Sequence, residues 1–219
     1  MTAKDEMLSR VRAALADRPQ PDPVPRDYLR SLDGTSLGGT SPGSTSPGSP
    51  HVVELFAERA ADYQATVRRV PESALGEAVA EALHTRGARR LVVPTGLPES
   101  WLASADIEPV SDEPPLMLAD LNDTDGVISG CAVAIALTGT IVLDAGPGQG
   151  RRALTLLPDY HLCIVRTGQI VGSVAEGLAR LDPVRPQTWI SGPSATSDIE
   201  LNRVEGVHGP RTLEILIAG

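Results

Sequence analysis

From residue 50 onward, short apolar runs alternate with stretches of helical spacing, and this alternation limits the folds open to the chain. Apolar residues recur at helical spacing over 51–70, 73–86 and 173–181, and Gly87 ends the second of these helices. Runs typical of strands lie at 88–94, 126–130, 140–145, 161–166, 188–191 and 213–218. The alternation predicts an α/β domain with an open, largely parallel sheet flanked by helices. Ligands in such sheets bind beyond the carboxyl ends of the strands.

A further helix is predicted at 5–19, where one helical stripe carries Met7, Leu8, Val11, Ala14 and Leu15. Every residue of 34–50 except Leu37 is Gly, Ser, Thr or Pro. Such a segment cannot bury enough apolar surface to offset the entropy of ordering it, so we expect a flexible linker. The predicted organisation is an N-terminal helical segment, a linker and a main domain, at 1–33, 34–50 and 51–219.

Charge and hydropathy exclude several classes of protein. The 219 residues suit one domain with an appendage, and their net charge of −9 argues against general affinity for nucleic acid or a polybasic membrane anchor. No apolar run approaches the length of a membrane span, and the N-terminus lacks the profile of a signal peptide. We therefore expect a cytoplasmic protein without membrane insertion.

Metal and nucleophile motifs are missing from the sequence. Cys131 and Cys163 are far apart, and neither belongs to a C-x-x-C pair. Both lie in apolar runs, which predicts buried free thiols. The four histidines include no H-x-x-x-H pair, so no metal site is expected. There is no G-x-S-x-G elbow either, and the catalytic residues, if any, stay unknown.

The stretch "ALTGTIVLDAGPGQGRR" (136–152) is the first candidate for ligand binding. Thr138, Gly139 and Thr140 predict a tight polar turn into a strand. Glycines in the loop after that strand allow successive N–H groups to form an anion nest, and Arg151 and Arg152 can clamp a carboxylate or phosphate. The alternative is a glycine-rich loop with two solvated arginines. The spacing matches neither a dinucleotide fingerprint nor a phosphate-binding P-loop.

The second candidate, "GPSATSDIE" (192–200), follows a predicted strand. Thr196, Ser197 or Asp198 can cap a helix that continues through 199–201, which would place an anion site at its positive end. Asp198 and Glu200 would repel an anion unless one of them caps the helix or holds an arginine. The alternative is ordinary strand-to-helix turn chemistry.

His208 lies in a third candidate, "GVHGP" (206–210), just before the last strand. A histidine in a glycine-rich loop can act as a general base, a hydrogen-bond donor or a ligand, although a lone one is more often structural. His161, at the start of a strand, is equally ambiguous from sequence alone.

Two long stretches, "LTGTIVLDAGPGQGRRALTLLPDYHLCIV" and "WISGPSATSDIELNRVEGVHGPRTLEILI", resemble the lactate-utilisation protein C family (LutC, also called YkgG), which is built on the LUD domain. "DEMLSRVRAAL" is similar to the opening helix of that family. The resemblance implies a fold like that of the NagB/RpiA/CoA-transferase group. It also implies a role in oxidising L-lactate to pyruvate with partner proteins that carry iron–sulfur clusters, and no cofactor in this chain. One departure is Leu137, since the family commonly has Glu before the Thr-Gly-Thr turn.

With the resemblance added, we expect the loops at 138–152 and 191–210 to approach each other over the carboxyl edge of the sheet. In this hypothesis Gly192, Ser194 and Thr196 offer donors to a carboxylate or phosphate, and an arginine neutralises it. Asp198 and Glu200 orient arginines or ribose-like hydroxyls, and His208 exchanges one proton or hydrogen bond. The candidate ligand-binding residues are Thr138, Gly139, Thr140, Arg151, Arg152, Gly192, Ser194, Thr196, Asp198, Glu200, His208 and Gly209.

Three functions remain open at this point. The first is a non-redox component of an L-lactate utilisation system, which binds a small anionic metabolite or a surface of its iron–sulfur partners. The second is an independent enzyme acting on a CoA, folate or phosphorylated substrate, although Leu137 and the missing nucleophile argue against it. The third is a pure interaction module whose N-terminal helix docks on a partner.

Overall fold

A computed structural model of the chain describes residues 3–16, 46–196, 204–205 and 209–219. Their α-helices are α1 (Ala3–Ala14), α2 (Pro50–Asp62), α3 (Leu75–Arg86), α4 (Leu118–Asn122) and α5 (Val174–Arg180). Their strands are β1 (Thr66–Val70), β2 (Arg90–Val93), β3 (Glu108–Ser111), β4 (Gly126–Ser129), β5 (Val133–Ile135), β6 (Thr140–Leu143), β7 (Tyr160–Arg166), β8 (Ile170–Val171), β9 (Thr188–Ile190), β10 (Ala195–Thr196), β11 (Val204–Glu205) and β12 (Thr212–Ala218).

A six-stranded sheet forms the centre of the molecule, and all its strands are parallel, in the order β1-β12-β7-β4-β2-β3. Its middle strands are buried on both faces, which explains their nearly unbroken apolar sequences. On one face Leu162, Ile164 and Leu216 pack in a core with α3. This arrangement confirms the predicted α/β class with an open parallel sheet flanked by helices.

A second, smaller sheet covers part of the other face, and the sequence pattern did not predict it. Its order is β8-β5-β6-β9, and β6 runs antiparallel to both of its neighbours. A short 3₁₀ turn, Ala136–Thr138, joins β5 directly to β6, so the chain reverses without the crossover helix that parallel neighbours need. Ile141 and Leu143 of β6 pack in one core with Cys163 and Ile215 of the large sheet.

The helical spacing predicted over 51–70 is wrong in its second half. α2 ends at Asp62, and Thr66–Val70 forms the edge strand β1, paired in parallel with β12. Gln64, with a positive φ of 71°, breaks the helix, and the β-branched residues after it favour an extended chain. Val67 and Val70 fit both a helical and a strand pattern, so their spacing alone did not separate the two.

The N-terminal helix α1 has no buried residue, and Met7 is 68% exposed. Most of the predicted linker lies outside the described residues. Its last residues belong to the main domain, because the Gly48 N–H donates to the Ile170 carbonyl and Pro50 begins α2. Over the described ranges, none of the helices has the length and apolar character that crossing a membrane requires.

Candidate ligand-binding site

A cavity of about 290 Å³ lies between the two sheets, at the amino ends of the central strands. His161 and Leu213, the second residues of β7 and β12, form part of its wall. The rest comes from β9, from the segments at 191–194 and 209–210, and from the 3₁₀ turn Arg152–Thr155 with Leu156 after it. The loops predicted at 138–152 and 191–210 do approach each other, since Arg152 and Ser191 share this wall, but the carboxyl edge of the large sheet is the wrong place for the meeting. The described parts of the second loop lie at the opposite, amino edge.

The segment after β9 is held in place by close backbone contacts. Gly192 has a φ of 80°, and a side chain there would overlap the backbone carbonyl of Tyr63, just after α2. The Ser194 N–H donates to the Pro210 carbonyl at 2.8 Å, which joins this segment to the one that leads into β12. Glycine at 192 thus serves the packing that shapes the cavity, whether or not its N–H meets a ligand.

The Thr138–Gly139–Thr140 turn supports the cavity without lining it. The two threonine hydroxyls lie 2.7 Å apart, and Thr140 Oγ1 also lies 2.7 Å from Oγ of Ser191 in the cavity wall. Gly139 has a φ of 58°, and a Cβ there would come within 2.6 Å of the Ala60 backbone nitrogen in α2. The predicted tight turn is present, and its glycine permits close packing on a helix.

The glycine-rich loop at 144–150 does lie at the carboxyl edge, but several of its N–H groups already have protein partners. The Gly146 N–H donates to the Asp144 carboxylate and the Gly148 N–H to the Thr95 carbonyl, at 3.1 and 2.8 Å. The Gln149 N–H donates back to the Gly146 carbonyl at 3.0 Å. At Gly146, the chain's own carboxylate therefore takes an N–H that the predicted anion nest would offer to a ligand.

Arg151 and Arg152 differ in their protein partners, although both line a further cleft of about 350 Å³. Nε and Nη2 of Arg151 bind both carboxylate oxygens of Asp112, at 2.7 and 2.9 Å, and Nη2 also donates to the Leu116 carbonyl. Burial opposes the charge on Asp112, yet the hydrogen bonds from Arg151 and the Leu116 N–H lower the pKa of that carboxyl below its ordinary value. Arg151 is thus neutralised beside an open cleft of about 690 Å³ at the carboxyl edge.

Arg152 lies instead at the cavity between the sheets. Its side chain is exposed and makes no hydrogen bond or ion pair with any residue that the structure describes. Within those ranges it is therefore a cation available to an anion in the cavity. The turn that carries it is closed by the Thr155 hydroxyl, which donates to the Arg152 carbonyl at 3.2 Å.

His161 is the most buried titratable residue of the cavity wall, at 1% exposure. Its Nε2 lies 2.7 Å from Oγ of Ser129, on the neighbouring strand β4. Its Nδ1 is buried and has no hydrogen-bond partner among the described residues. Burial lowers the pKa of the imidazole to about 4, so the ring is neutral at neutral pH.

The two cysteines lie beneath the cavity, in the core between the sheets. Both are buried free thiols, as predicted. The hydrogen bond with Cys163, followed by burial, raises the pKa of the Cys131 thiol well above its ordinary value, so this residue is not a ready thiolate ligand. In the described part of the chain, no three His, Cys, Asp or Glu residues form a group that could hold a metal ion.

Of the predicted site residues, Arg152, Gly192, Ser194 and Gly209 are brought together in the cavity wall. Asp198, Glu200 and His208 lie outside the described residues, as does the helix predicted at 199–201. The backbone of Thr196 belongs to β10, which pairs with β11, and its side chain is not described.

Sequence reasoning left His161 ambiguous and did not connect it with Ser129. The available signal was the period-2 pattern of β7, which places a histidine on the same face as Cys163 in an otherwise apolar strand. Leu137, the departure from the family pattern, is 40% exposed and is not part of the cavity wall.

Comparison with known proteins relates the chain to proteins of lactate utilisation. The family model described as the LUD domain matches residues 53–218. "Lactate utilization protein C" of Deinococcus radiodurans is 44% identical, over 99% of this chain and 96% of its own length. A protein of the same name from Halalkalibacterium halodurans is 28% identical over 74% of this chain and 76% of its own length.

A solved structure agrees with this relationship. The crystal structure of a DUF162 family protein from Deinococcus radiodurans is 44% identical and matches with a TM-score of 0.66. The match covers 77% of this chain and 97% of that protein. From the extent of these matches, the chain belongs to the LUD domain family.

Proposed function

We propose that this chain is a non-redox component of an L-lactate utilisation system and that the cavity between its sheets binds a small anion. The observation that carries the proposal is the relative named lactate utilization protein C, which is 44% identical over nearly the whole chain. Identity of this extent, in both length and sequence, supports a shared role in lactate utilisation.

The anion-binding part of the proposal depends on the charge and size of the cavity. Arg152 supplies a cation with no protein partner among the described residues, and the Ser191 hydroxyl in the same wall can donate to a ligand when Thr140 donates to Ser191. A volume of about 290 Å³ suits a metabolite of a few carbon atoms, whereas a CoA ester or a folate needs a larger site. Within this cavity, these features favour a small anion over a CoA ester or a folate.

The division of labour within the system is also part of the proposal. Lactate oxidation removes two electrons, and we assign the iron–sulfur clusters that accept them to partner proteins. The two buried thiols support this assignment, because cluster ligation needs more cysteines than this sequence has.

Growth of the native host tests the proposal directly. Deleting the gene should abolish growth on L-lactate while growth on glucose continues, and the wild-type gene should restore it. Arg152→Gln should fail to restore growth, because the cavity loses its cation. Arg89→Gln is a matched control, since Arg89 is an exposed arginine outside the cavity wall and the net charge changes equally.

Unchanged growth of the deletion strain on L-lactate would refute the role in lactate utilisation. Full rescue by Arg152→Gln would refute anion binding.

A tagged copy in the same host tests the assignment of partners. Iron–sulfur proteins and lactate-oxidising activity should co-purify with it from cells grown on L-lactate. A chain that elutes alone and inactive would contradict a stable complex.

A second candidate function, an interaction module, is favoured by α1. Met7 and Val11 of its apolar stripe are 68% and 48% exposed, so this face is available to a partner. Deleting residues 1–45 should then weaken complex formation while leaving the domain folded. Unchanged co-purification of the iron–sulfur proteins would exclude this role for the helix.

A further inference from the structure

His161 has two buried ring nitrogens, and only one of them has a hydrogen-bond partner among the described residues. Nε2 contacts Ser129 Oγ at 2.7 Å, while Nδ1 is buried with no partner among the described residues. A buried polar atom without a partner costs free energy, and such atoms are rare in folded proteins. Because His161 forms part of the cavity wall, a ligand in the cavity is a natural source of the second hydrogen bond.

The Ser129–His161 pair can present Nδ1 in two ways. A neutral imidazole carries one N–H donor and one bare nitrogen acceptor, and a serine hydroxyl can donate or accept. When Nε2–H donates to Ser129 Oγ, Nδ1 is an acceptor. When the Ser129 hydroxyl donates to Nε2, Nδ1 carries the proton and is a donor. The pair can therefore meet either a hydroxyl or a carbonyl oxygen without gaining or losing charge.

The remaining wall of the cavity limits what such a ligand can be. Arg152 supplies the only unpaired cation among the described wall residues and favours a carboxylate. Leu156, Ile190 and Leu213 add apolar surface that suits a short aliphatic group. A carboxylate, a neighbouring oxygen and a small alkyl group together describe a short acid substituted on carbon 2.

We propose that the cavity recognises short 2-hydroxy and 2-oxo carboxylates, with Arg152 on the carboxylate and Nδ1 of His161 on the oxygen at carbon 2. This inference rests on the proposed anion site and names its ligand class. Nδ1 accepts from the hydroxyl of L-lactate and donates to the carbonyl of pyruvate. The side chain of Ser129 is a positioning residue that lets the imidazole change tautomer. Because Nδ1 is enclosed in this structure, the wall must shift slightly as the ligand enters.

Titration calorimetry on the full-length chain with three acids of equal charge tests the ligand class. L-lactate and pyruvate should bind with affinities within about tenfold of each other. Propionate, which has the same carboxylate and three carbons but no oxygen at carbon 2, should bind about tenfold more weakly, since it leaves Nδ1 unpaired. Equal binding of propionate and L-lactate would overturn the inference and leave the anion site intact. No binding of any of the three would overturn both, whatever the growth phenotype.

Variants separate the contact with carbon 2 from the contact with the carboxylate. His161→Phe should bind propionate as the wild type does but lose the preference for L-lactate, whereas Arg152→Gln should lose at least about tenfold for all three acids. His84→Gln is the control, since His84 is an exposed residue of α3 outside the cavity wall. A His161→Phe variant that keeps the preference would refute the contact.

The tautomer can be observed without any substitution at His161. In the wild-type protein with ¹⁵N-labelled histidine, L-lactate should give the Nε2-protonated form of His161 and pyruvate the Nδ1-protonated form. Ser129→Ala should shift the Nε2 signal with both acids, because Nε2 loses its partner in either tautomer. The same tautomer with both acids would refute the proposed switch.

Discussion

Arg151 and Arg152 are adjacent in the chain but lie in different electrostatic surroundings. Both oxygens of Asp112 bind Arg151, so the pair adds little net field to the carboxyl-edge cleft. Arg152 faces the cavity between the sheets without such a partner among the described residues. An anion in this cavity would therefore meet a cation in the same wall as the buried imidazole of His161.

Burial of His161 makes the stability of the protein depend on pH. The folded pKa of about 4 lies below the ordinary value of about 6.5, so protonation favours the unfolded chain. The stabilisation from the neutral ring is present above pH 6.5 and is lost as the pH falls towards 4. Between pH 7 and pH 5 this group should cost the wild type about 2 kcal/mol of unfolding free energy.

Urea denaturation at both pH values, on the wild type and His161→Phe, measures this effect. The variant should lose about 2 kcal/mol less than the wild type on going from pH 7 to pH 5. The carboxyl groups of Asp112, Asp125 and Asp159, whose pKa values are also lowered, affect both proteins equally. Equal losses in the two proteins would show that His161 is not the responsible group.

At the scale of elements, two glycines let loops pack on helix α2. Gly139 brings the turn before β6 against the backbone of Arg59 and Ala60, and Gly192 brings the loop after β9 against Tyr63. Thr140 and Ser191 then share a hydrogen bond at 2.7 Å between these two loops. The end of α2 thus helps to set the position of Ser191 in the cavity wall.

Gly139→Ala should destabilise the fold by about 2–4 kcal/mol. The left-handed conformation costs a side chain about 1–2 kcal/mol, and the new Cβ would meet backbone atoms of α2 at 2.6 Å. Gly168→Ala is the control, because no atom lies within 4 Å of the Cβ it would add, and it should change stability by less than about 0.5 kcal/mol. Chemical denaturation of the two variants measures the difference, and equal losses would contradict this role of Gly139.

At the scale of the whole molecule, the two sheets share one core. Ala134 and Ile141 of the small sheet pack in the same cluster as Val165 and Ile215 of the large sheet. A cavity formed between layers that share a core keeps its shape only while both layers stay folded. The small sheet is therefore a structural part of the proposed site and not an independent appendage.

The two tryptophans of the chain allow the shared core to be tested. Trp101 packs in the core on the α3 face of the large sheet, and Trp189 lies in β9 of the small sheet. Urea unfolding of Trp189→Phe and Trp101→Phe is followed by the fluorescence of the remaining tryptophan and, in the same variant, by circular dichroism. In each variant the two signals should give the same midpoint. An earlier transition at Trp189 would show that the small sheet unfolds separately.

The α/β class, the helix that ends at Gly87 and the Thr-Gly-Thr turn could be predicted because each depends on local spacing. The edge strand at 66–70 could not, since two valines three residues apart fit a helix as well as a strand. The different surroundings of the two arginines could not be predicted for another reason. They depend on Asp112, which is 39 residues away in sequence and is brought to Arg151 only by folding.

By itself, the sequence determined six of the twelve described strands, most of the helices and the family, because apolar periodicity and contiguous motifs act over a few residues. Only the tertiary structure decided which arginine stays unpaired and at which edge of the sheet the predicted loops lie. It also decided that Nε2 of His161 lies beside Oγ of Ser129, which is 32 residues away in sequence. The same folding places His161 in a cavity wall. These features arise from contacts between distant segments, and parallel pairing of strands creates such contacts without leaving a local pattern in the sequence.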